Sequence, residues 1–335
     1  MIVNNYTVSY LILSGSSLVM GGGAAAIGFY AGRKWNPSNP SEEQYRLEKL
    51  SYLTITLVVL AIYIRLFLVP FWFWTLSSLI PSIPGAMCLA GVHLARTPVS
   101  FLCSAMKVII PFAYGFWLAL NHIDRRIEFQ PFTRLKLFLL LPFGFLMAFE
   151  SLCDIYYLTG LKPRPVSCCT SLFDMPGDAL PKIVSSNNWS WTIGFIVLTL
   201  FLLYLLWMER THISRSKFIS LVIVILSLID AVIYVLALHT KISPLLLNAP
   251  YHHCIFCLLQ ASWISIFYSA LFITGLLLAF SQSLIRFISR ESELIVSLPI
   301  LRMIGICAFI IILFGLVLFI LSLTPHLGMK PSFFL

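Results

Sequence analysis

Residues Trp191–Met208 read WTIGFIVLTLFLLYLLWM, with no charged side chain until Glu209 and Arg210 close the run. At a rise of about 1.5 Å per residue, such a stretch wound as a helix is about 27 Å long, close to the thickness of a bilayer's hydrocarbon core. A helix also satisfies its own backbone hydrogen bonds in lipid, whereas a barrel needs short alternating strands that are absent from this run.

Seven further apolar stretches share this character. The expected spans are Tyr10–Gly32, Leu50–Leu68, Ser100–Leu120, Leu137–Leu158, Trp191–Met208, Phe218–Ala237, Ala261–Leu284 and Ile304–Leu323. The chain has 335 residues, 59% of them hydrophobic and 10% charged, and short polar connections leave no room for a separate soluble domain. A mean hydropathy of +0.94 lies outside the soluble range. The expectation is a single all-α polytopic membrane helix bundle over residues 1–335, with about eight transmembrane helices and the lipid bilayer as its partner.

The formal net charge of +9 does not argue for nucleic acid, because a membrane protein keeps its basic excess in cytoplasmic loops. Arg33, Lys34, Arg46 and Lys49 follow the first span, and Arg125, Arg126, Arg134 and Lys136 follow the third. Arg210, Arg215 and Lys217 follow the fifth, and Arg286, Arg290 and Arg302 the seventh. This alternation places those four connections in the cytoplasm and both termini outside. Tryptophan agrees: Trp35, Trp117 and Trp207 mark inner ends, and Trp72, Trp74, Trp189, Trp191 and Trp263 outer ends. The tail before the first span lacks a positive segment, so that span is expected to be retained.

On this topology the cysteines sort to one face. Cys88, Cys168, Cys169, Cys254 and Cys257 all fall in extracytoplasmic connections, where the outer face of a prokaryotic inner (plasma) membrane, the expected location, or an ER lumen permits disulfide chemistry. These sulfurs can cycle, staple loops as static disulfides, or bind a soft metal, and spacing does not fix their connectivity. The segment Pro70–Trp74 suits an aromatic anchor at the interface, followed by prolines and a short helix near Met87–Ala95 that lays Cys88 on the membrane surface.

The sharpest motif is Tyr251-His252-His253-Cys254-Ile255-Phe256-Cys257-Leu258-Leu259-Gln260, running into the seventh span. Cysteines three apart share a helix face, and a first helical turn stabilises a thiolate through its unpaired N–H groups. The motif resembles that of quinone-linked, disulfide-generating membrane proteins of the DsbB and vitamin K epoxide reductase type, in which Cys-x-x-Cys lies at the outer end of a membrane helix and is often followed by Gln. The resemblance implies that Cys254 and Cys257 pass electrons to a quinone, while a second outer cysteine pair relays them. It differs from those families in helix number and in having Ala261 after Gln260.

A metal reading competes. His93, His252 and His253, with Cys168, Cys169, Cys254 and Cys257, are ligand types that suit Cu or Zn, and His93 alone also reads as an ordinary loop histidine. Covalent haem is disfavoured, because Leu258 stands where the haem-attachment histidine would follow.

Ionisable residues inside spans are the other signal, since lipid makes them costly. Glu150 and Asp154, four apart, share one helix face. Asp230 lies deeper on the sixth span, with Lys107 and Arg65 (the latter near an outer helix end) as counter-charges. These five can line a polar pocket that relays protons or holds a quinone headgroup, or they can lock helices together. The expected function is thiol–disulfide redox chemistry at an extracytoplasmic cysteine cluster, with an extracytoplasmic thiol protein or other membrane subunits as partners. The alternatives are a soft-metal binding or transport protein, in the manner of a permease subunit, and a noncatalytic subunit with structural disulfides.

Overall fold

The first helix, α1 (Asn5–Lys34), opens where Asn4 takes an extended backbone and its Oδ1 accepts from Thr7 N–H at 2.8 Å. That bond satisfies one of the donors a helix N-terminus leaves over. In the computed structural model, which describes residues 4–35, 41–127, 130–166, 189–211, 217–249, 252–289 and 291–324, eight helices are long and apolar enough to cross a membrane. The protein is an integral, multi-pass, all-α membrane protein. Its contacts divide it into two compact units, Met1–Val166 and Ser167–Leu335.

The first unit holds α1, α2 (Glu42–Leu79), a short 3-10 turn, α3 (Leu89–Leu94), α4 (Val99–Arg126) and α5 (Thr133–Thr159). Its four long helices form a ring in which α1 packs on α2 and α5, and α4 packs on α5 and α2. Small residues make the α1 contacts close. Ser14, Gly21 and Gly28 are buried at intervals of seven, as are Ser17, Ala24 and Ala31. At Gly28, a Cβ would come within 3.1 Å of the Thr54 methyl on α2 and would collide with Leu140 on α5. Apolar surface drives no helix pairing inside lipid, so this closeness supplies the dispersion contact instead.

The helices run longer than the apolar runs alone suggest. Helix α2 continues to Leu79, through Pro70, instead of stopping at Leu68. Neighbouring helices tolerate a proline kink in a membrane helix, and the backbone has no better partner than itself in lipid. The longer helix changes the setting of two residues. Phe71–Trp74 is helical, and Trp72 is fully buried, with its ring 5.3 Å from Tyr10 and 5.6 Å from Tyr157, rather than anchored at the interface. Arg65 lies well inside α2 instead of near its end. Likewise α3 spans Leu89–Leu94 and is buried rather than lying on the surface, and Cys88 at its N-cap is also buried.

Two local devices close this unit. Gly85 adopts φ +83°, in the left-handed region where only glycine is unstrained, and the Val166 N–H donates to Pro84 O at 3.0 Å beside it. Lys136, expected in a cytoplasmic connection, is a buried member of α5. It pairs with Asp124 at 2.6 Å and donates to Asn121 Oδ1 at 3.1 Å, while Asp124 Oδ1 accepts from Phe132 N–H at 2.7 Å.

The second unit holds α6 (Ser190–Thr211), α7 (Lys217–Ala237) with a π-helical turn after it, α8 (Ser243–Leu246), α9 (Ile255–Ala261), α10 (Trp263–Ile288) and α11 (Glu291–Leu323). Its four long helices also form a ring, α6 on α7, α7 on α10, α10 on α11 and α11 on α6. One aromatic residue from each helix meets at the centre: Phe195 lies 5.1 Å from Tyr234, 5.0 Å from Phe272 and 5.1 Å from Phe319. Each pair adds about 0.5–1.5 kcal/mol beyond area burial. The expected seventh span is broken at Ser262, whose hydroxyl accepts from Ser265 N–H at 3.3 Å and starts α10 afresh.

Candidate functional site

Where the second unit fills its ring with aromatic rings, the first fills its ring with charge. Arg65 on α2, Lys107 on α4, and Glu150 and Asp154 on α5 are each no more than 2% exposed. Lys107 Nζ lies 2.5 Å from Glu150 Oε1 and 2.6 Å from Asp154 Oδ2, bridging the two carboxylates. Arg65 Nη1 reaches Glu150 Oε2 at 3.4 Å. Formal charges cancel, which is the condition for holding four ions out of water.

Helices α1, α4 and α5 supply the polar lining. Tyr10 OH donates to Asp154 Oδ2 at 2.6 Å, and Arg65 Nη2 donates to Ser14 O at 3.1 Å and to the Ser151 hydroxyl. Ser14 and Ser151 hydroxyls meet at 3.2 Å, and Tyr114 OH donates to Glu150 Oε2 at 3.2 Å. Lys107 Nζ also sits 5.4 Å from the Trp72 ring centre and 5.6 Å from that of Tyr10, within cation–π range. Arg65 Nε has no hydrogen-bond partner among the described residues. The four-helix ring of the second unit closes with aromatic side chains, so packing alone does not require this charged centre. Buried ions in a span mark a functional site by default.

Four of the five ionisable residues expected to line a pocket therefore converge. The fifth, Asp230, belongs to the second unit, where Thr199 Oγ1 donates to its Oδ2 at 3.0 Å. Sequence reading missed Tyr10, Ser14, Tyr114 and Ser151. The signal was present in Tyr10, Ser14 and Ser17, a polar stripe at helical spacing on one face of an otherwise apolar span.

The cysteine motif is built differently from the sequence expectation. Cys254 is the N-cap of α9, with φ −82° and ψ 109°, so the pair opens a short separate helix and not the span itself. The Sγ atoms of Cys254 and Cys257 lie within 4.8 Å of each other. Cys254 is 1% exposed and Cys257 half-buried. Next to them, His253 Nδ1 is 3.0 Å from His239 O, and the two rings are 5.7 Å apart. Cys168 and Cys169 lie outside the described residues.

His93, in the first unit, is buried on α3 between Phe101, whose ring stacks 5.5 Å away, and Ser104, whose hydroxyl is 3.3 Å from Nε2. Burial pushes its pKa down to about 4, and the nearby Cys88 pulls weakly the other way. An unfolded chain takes up this proton near pH 6.5, and the folded one only near pH 4. Stability carried by neutral His93 is therefore complete above about pH 6.5 and falls as the pH drops towards 4. Thermal unfolding at pH 7.5 and pH 4.5 should show a steeper loss in the wild type than in His93→Gln, and equal slopes would remove His93 from the acid response.

The geometry thus offers two chemistries, a dithiol at a helix start in one unit and a charge-balanced polar centre in the other. No known protein family, characterised protein or solved structure matches this chain, so its residues carry the functional argument alone.

Proposed function

We propose that the protein is a membrane thiol–disulfide oxidoreductase of a prokaryotic plasma membrane, working through Cys254 and Cys257. The observation that carries the reading is the 4.8 Å limit on their Sγ separation. An S–S bond of about 2.05 Å needs only side-chain rotation and a small backbone adjustment from there. The two thiols lose two electrons and two protons as the S–S bond forms, and a quinone takes both, leaving as the quinol. The disulfide is then reduced by an extracytoplasmic dithiol protein, which departs oxidised. Exposure favours Cys257 as the sulfur attacked by that partner, with Cys254, at the helix start that stabilises a thiolate, as the leaving group.

The ionised centre of the first unit has the chemistry to serve a quinone or its protons. Lys107 and Tyr10 are donors, and Arg65 Nε offers an unused one. Cys88 with either Cys168 or Cys169 is the second outer pair in this proposal and faces the dithiol substrate.

Thiol trapping under graded redox buffers tests it. Cys254 and Cys257 should interconvert as a two-electron pair at a potential between about −300 and −120 mV, the range spanned by structural and oxidising disulfides. Cys257→Ser should lower exchange with a dithiol substrate at least 100-fold. A pair that stays oxidised across that range would instead mark a structural disulfide. Near-equimolar copper or zinc in the purified protein, lost in Cys254→Ser, would favour soft-metal binding.

A further inference from the structure

At one end of the second unit, the last turns of α6 and α10 and the first part of the α11 span enclose a crevice of about 300 Å³ including its mouth. Its walls carry Trp207, Glu209, Gln282, Arg286, Arg302 and Gly305. Glu209 is fully engaged. It accepts from Ser220 Oγ at 3.0 Å, Gln282 Nε2 at 2.9 Å and Ser283 Oγ at 3.4 Å, and Arg286 Nη1 lies 3.4 Å from its Oε1. One carboxylate thus faces two guanidinium groups. Arg302 has no ion pair among the described residues and stands close enough to Arg286 to repel it, which leaves the crevice with a surplus positive charge.

Two buried atoms point to what neutralises it. Arg286 Nε and Gln282 Oε1 have no hydrogen-bond partner among the described residues, although Arg286 is 8% and Gln282 2% exposed. One is a donor and the other an acceptor. Gly305 leaves room for the Gln282 amide, because a Cβ there would collide with it. Inside its mouth the crevice admits about one water-sized group, and a water bridging donor to acceptor would satisfy both atoms but leave the charge uncompensated. A polyol hydroxyl, water-sized itself, can accept from Arg286 Nε–H and donate to Gln282 Oε1, and a phosphate carried on the same polyol at the mouth compensates Arg302, so that all three are satisfied.

Depth identifies the source. The crevice lies at span ends, beside Trp207, at the level where indole rings meet headgroups. It is also at the end that the distribution of basic residues assigns to the cytoplasm, the side on which basic pockets between helices bind anionic headgroups. We infer that this crevice binds the polyol phosphate headgroup of an anionic phospholipid. A soluble polyol phosphate shares that chemistry, so the two are separated by experiment. The inference rests on the membrane assignment and is independent of the cysteine chemistry.

Native mass spectrometry of the full chain in detergent, titrated with dioctanoyl phosphatidylglycerol, should show one saturable site. Arg302→Gln should weaken it about five- to tenfold. Lys217→Gln removes one exposed charge from the same end and should change it less than twofold. Arg302→Lys, which keeps the charge, should stay within about threefold, showing that loss in Arg302→Gln is not loss of fold. Dioctanoyl phosphatidylcholine, without the net charge or the hydroxyl, should bind several-fold more weakly. Equal weakening in Arg302→Gln and Lys217→Gln would reduce the effect to general surface attraction and overturn the site. Saturable, Arg302-dependent binding of glycerol 3-phosphate without lipid binding would overturn the lipid as occupant, and binding of neither would overturn both.

Discussion

Lys107→Met is expected to cost about 3–5 kcal/mol and to lower sharply the yield of folded protein, because it leaves two buried carboxylates with one cation between them. Among the described residues Lys107 alone pairs with both Glu150 and Asp154, and its ammonium is wholly buried. Methionine matches its length, so the change removes charge with little change in packing. The discriminating partner is Lys107→Met combined with Asp154→Asn, which restores neutrality around Arg65 and Glu150 and keeps an acceptor for Tyr10 OH. That double variant should recover about 2 kcal/mol or more relative to the sum of the single changes. Thermal unfolding in detergent measures both. A Lys107→Met protein that melts with the wild type would mean that the four charges are not held as one desolvated unit.

Glu209→Leu is the corresponding experiment in the second unit. It removes the acceptor of Ser220, Gln282 and Ser283 together and strips Arg286 of its counter-charge. The expected cost is about 2–4 kcal/mol. This is less than for Lys107, because Arg286 lies at a span end, where a long side chain can turn its head towards water. Glu209→Gln keeps much of the hydrogen bonding and should cost about half as much. Adding Arg286→Met to Glu209→Leu should recover most of the loss. If Glu209→Leu unfolds like the wild type, the hydrogen bonds to Glu209 contribute nothing net and the crevice has no rigid wall.

Legibility from sequence differed between parts of the molecule for physical reasons. Apolar length alone located the spans, because lipid permits little else. It stopped α2 at Leu68 and left Trp72 at an interface, because a proline after an apolar run is also the ordinary sign of a helix end. The same early stop put Arg65 near an end. Glu150 and Asp154 were recognisable as a pair, since spacing of four residues puts them on one helix face whatever the tertiary arrangement. Their partnership with Lys107 has no such spacing behind it and rests on opposite charge. Tyr10 and Ser14 passed unnoticed, because hydroxyl groups scarcely alter the hydropathy of a span.

Composition and periodicity by themselves therefore determined that this is an eight-span helical protein of the bilayer, with ions in its spans and a Cys-x-x-Cys at the start of a helix. Both properties are local, set by transfer free energy and helix geometry residue by residue. Only the tertiary structure decided that Arg65, Lys107, Glu150 and Asp154 form one neutral centre, that Asp230 pairs instead with Thr199, and that the thiols of Cys254 and Cys257 differ in exposure. Charge neutrality and access to water depend on which helices become neighbours. The packing of side chains across helices settles that choice, and separation along the chain does not encode it.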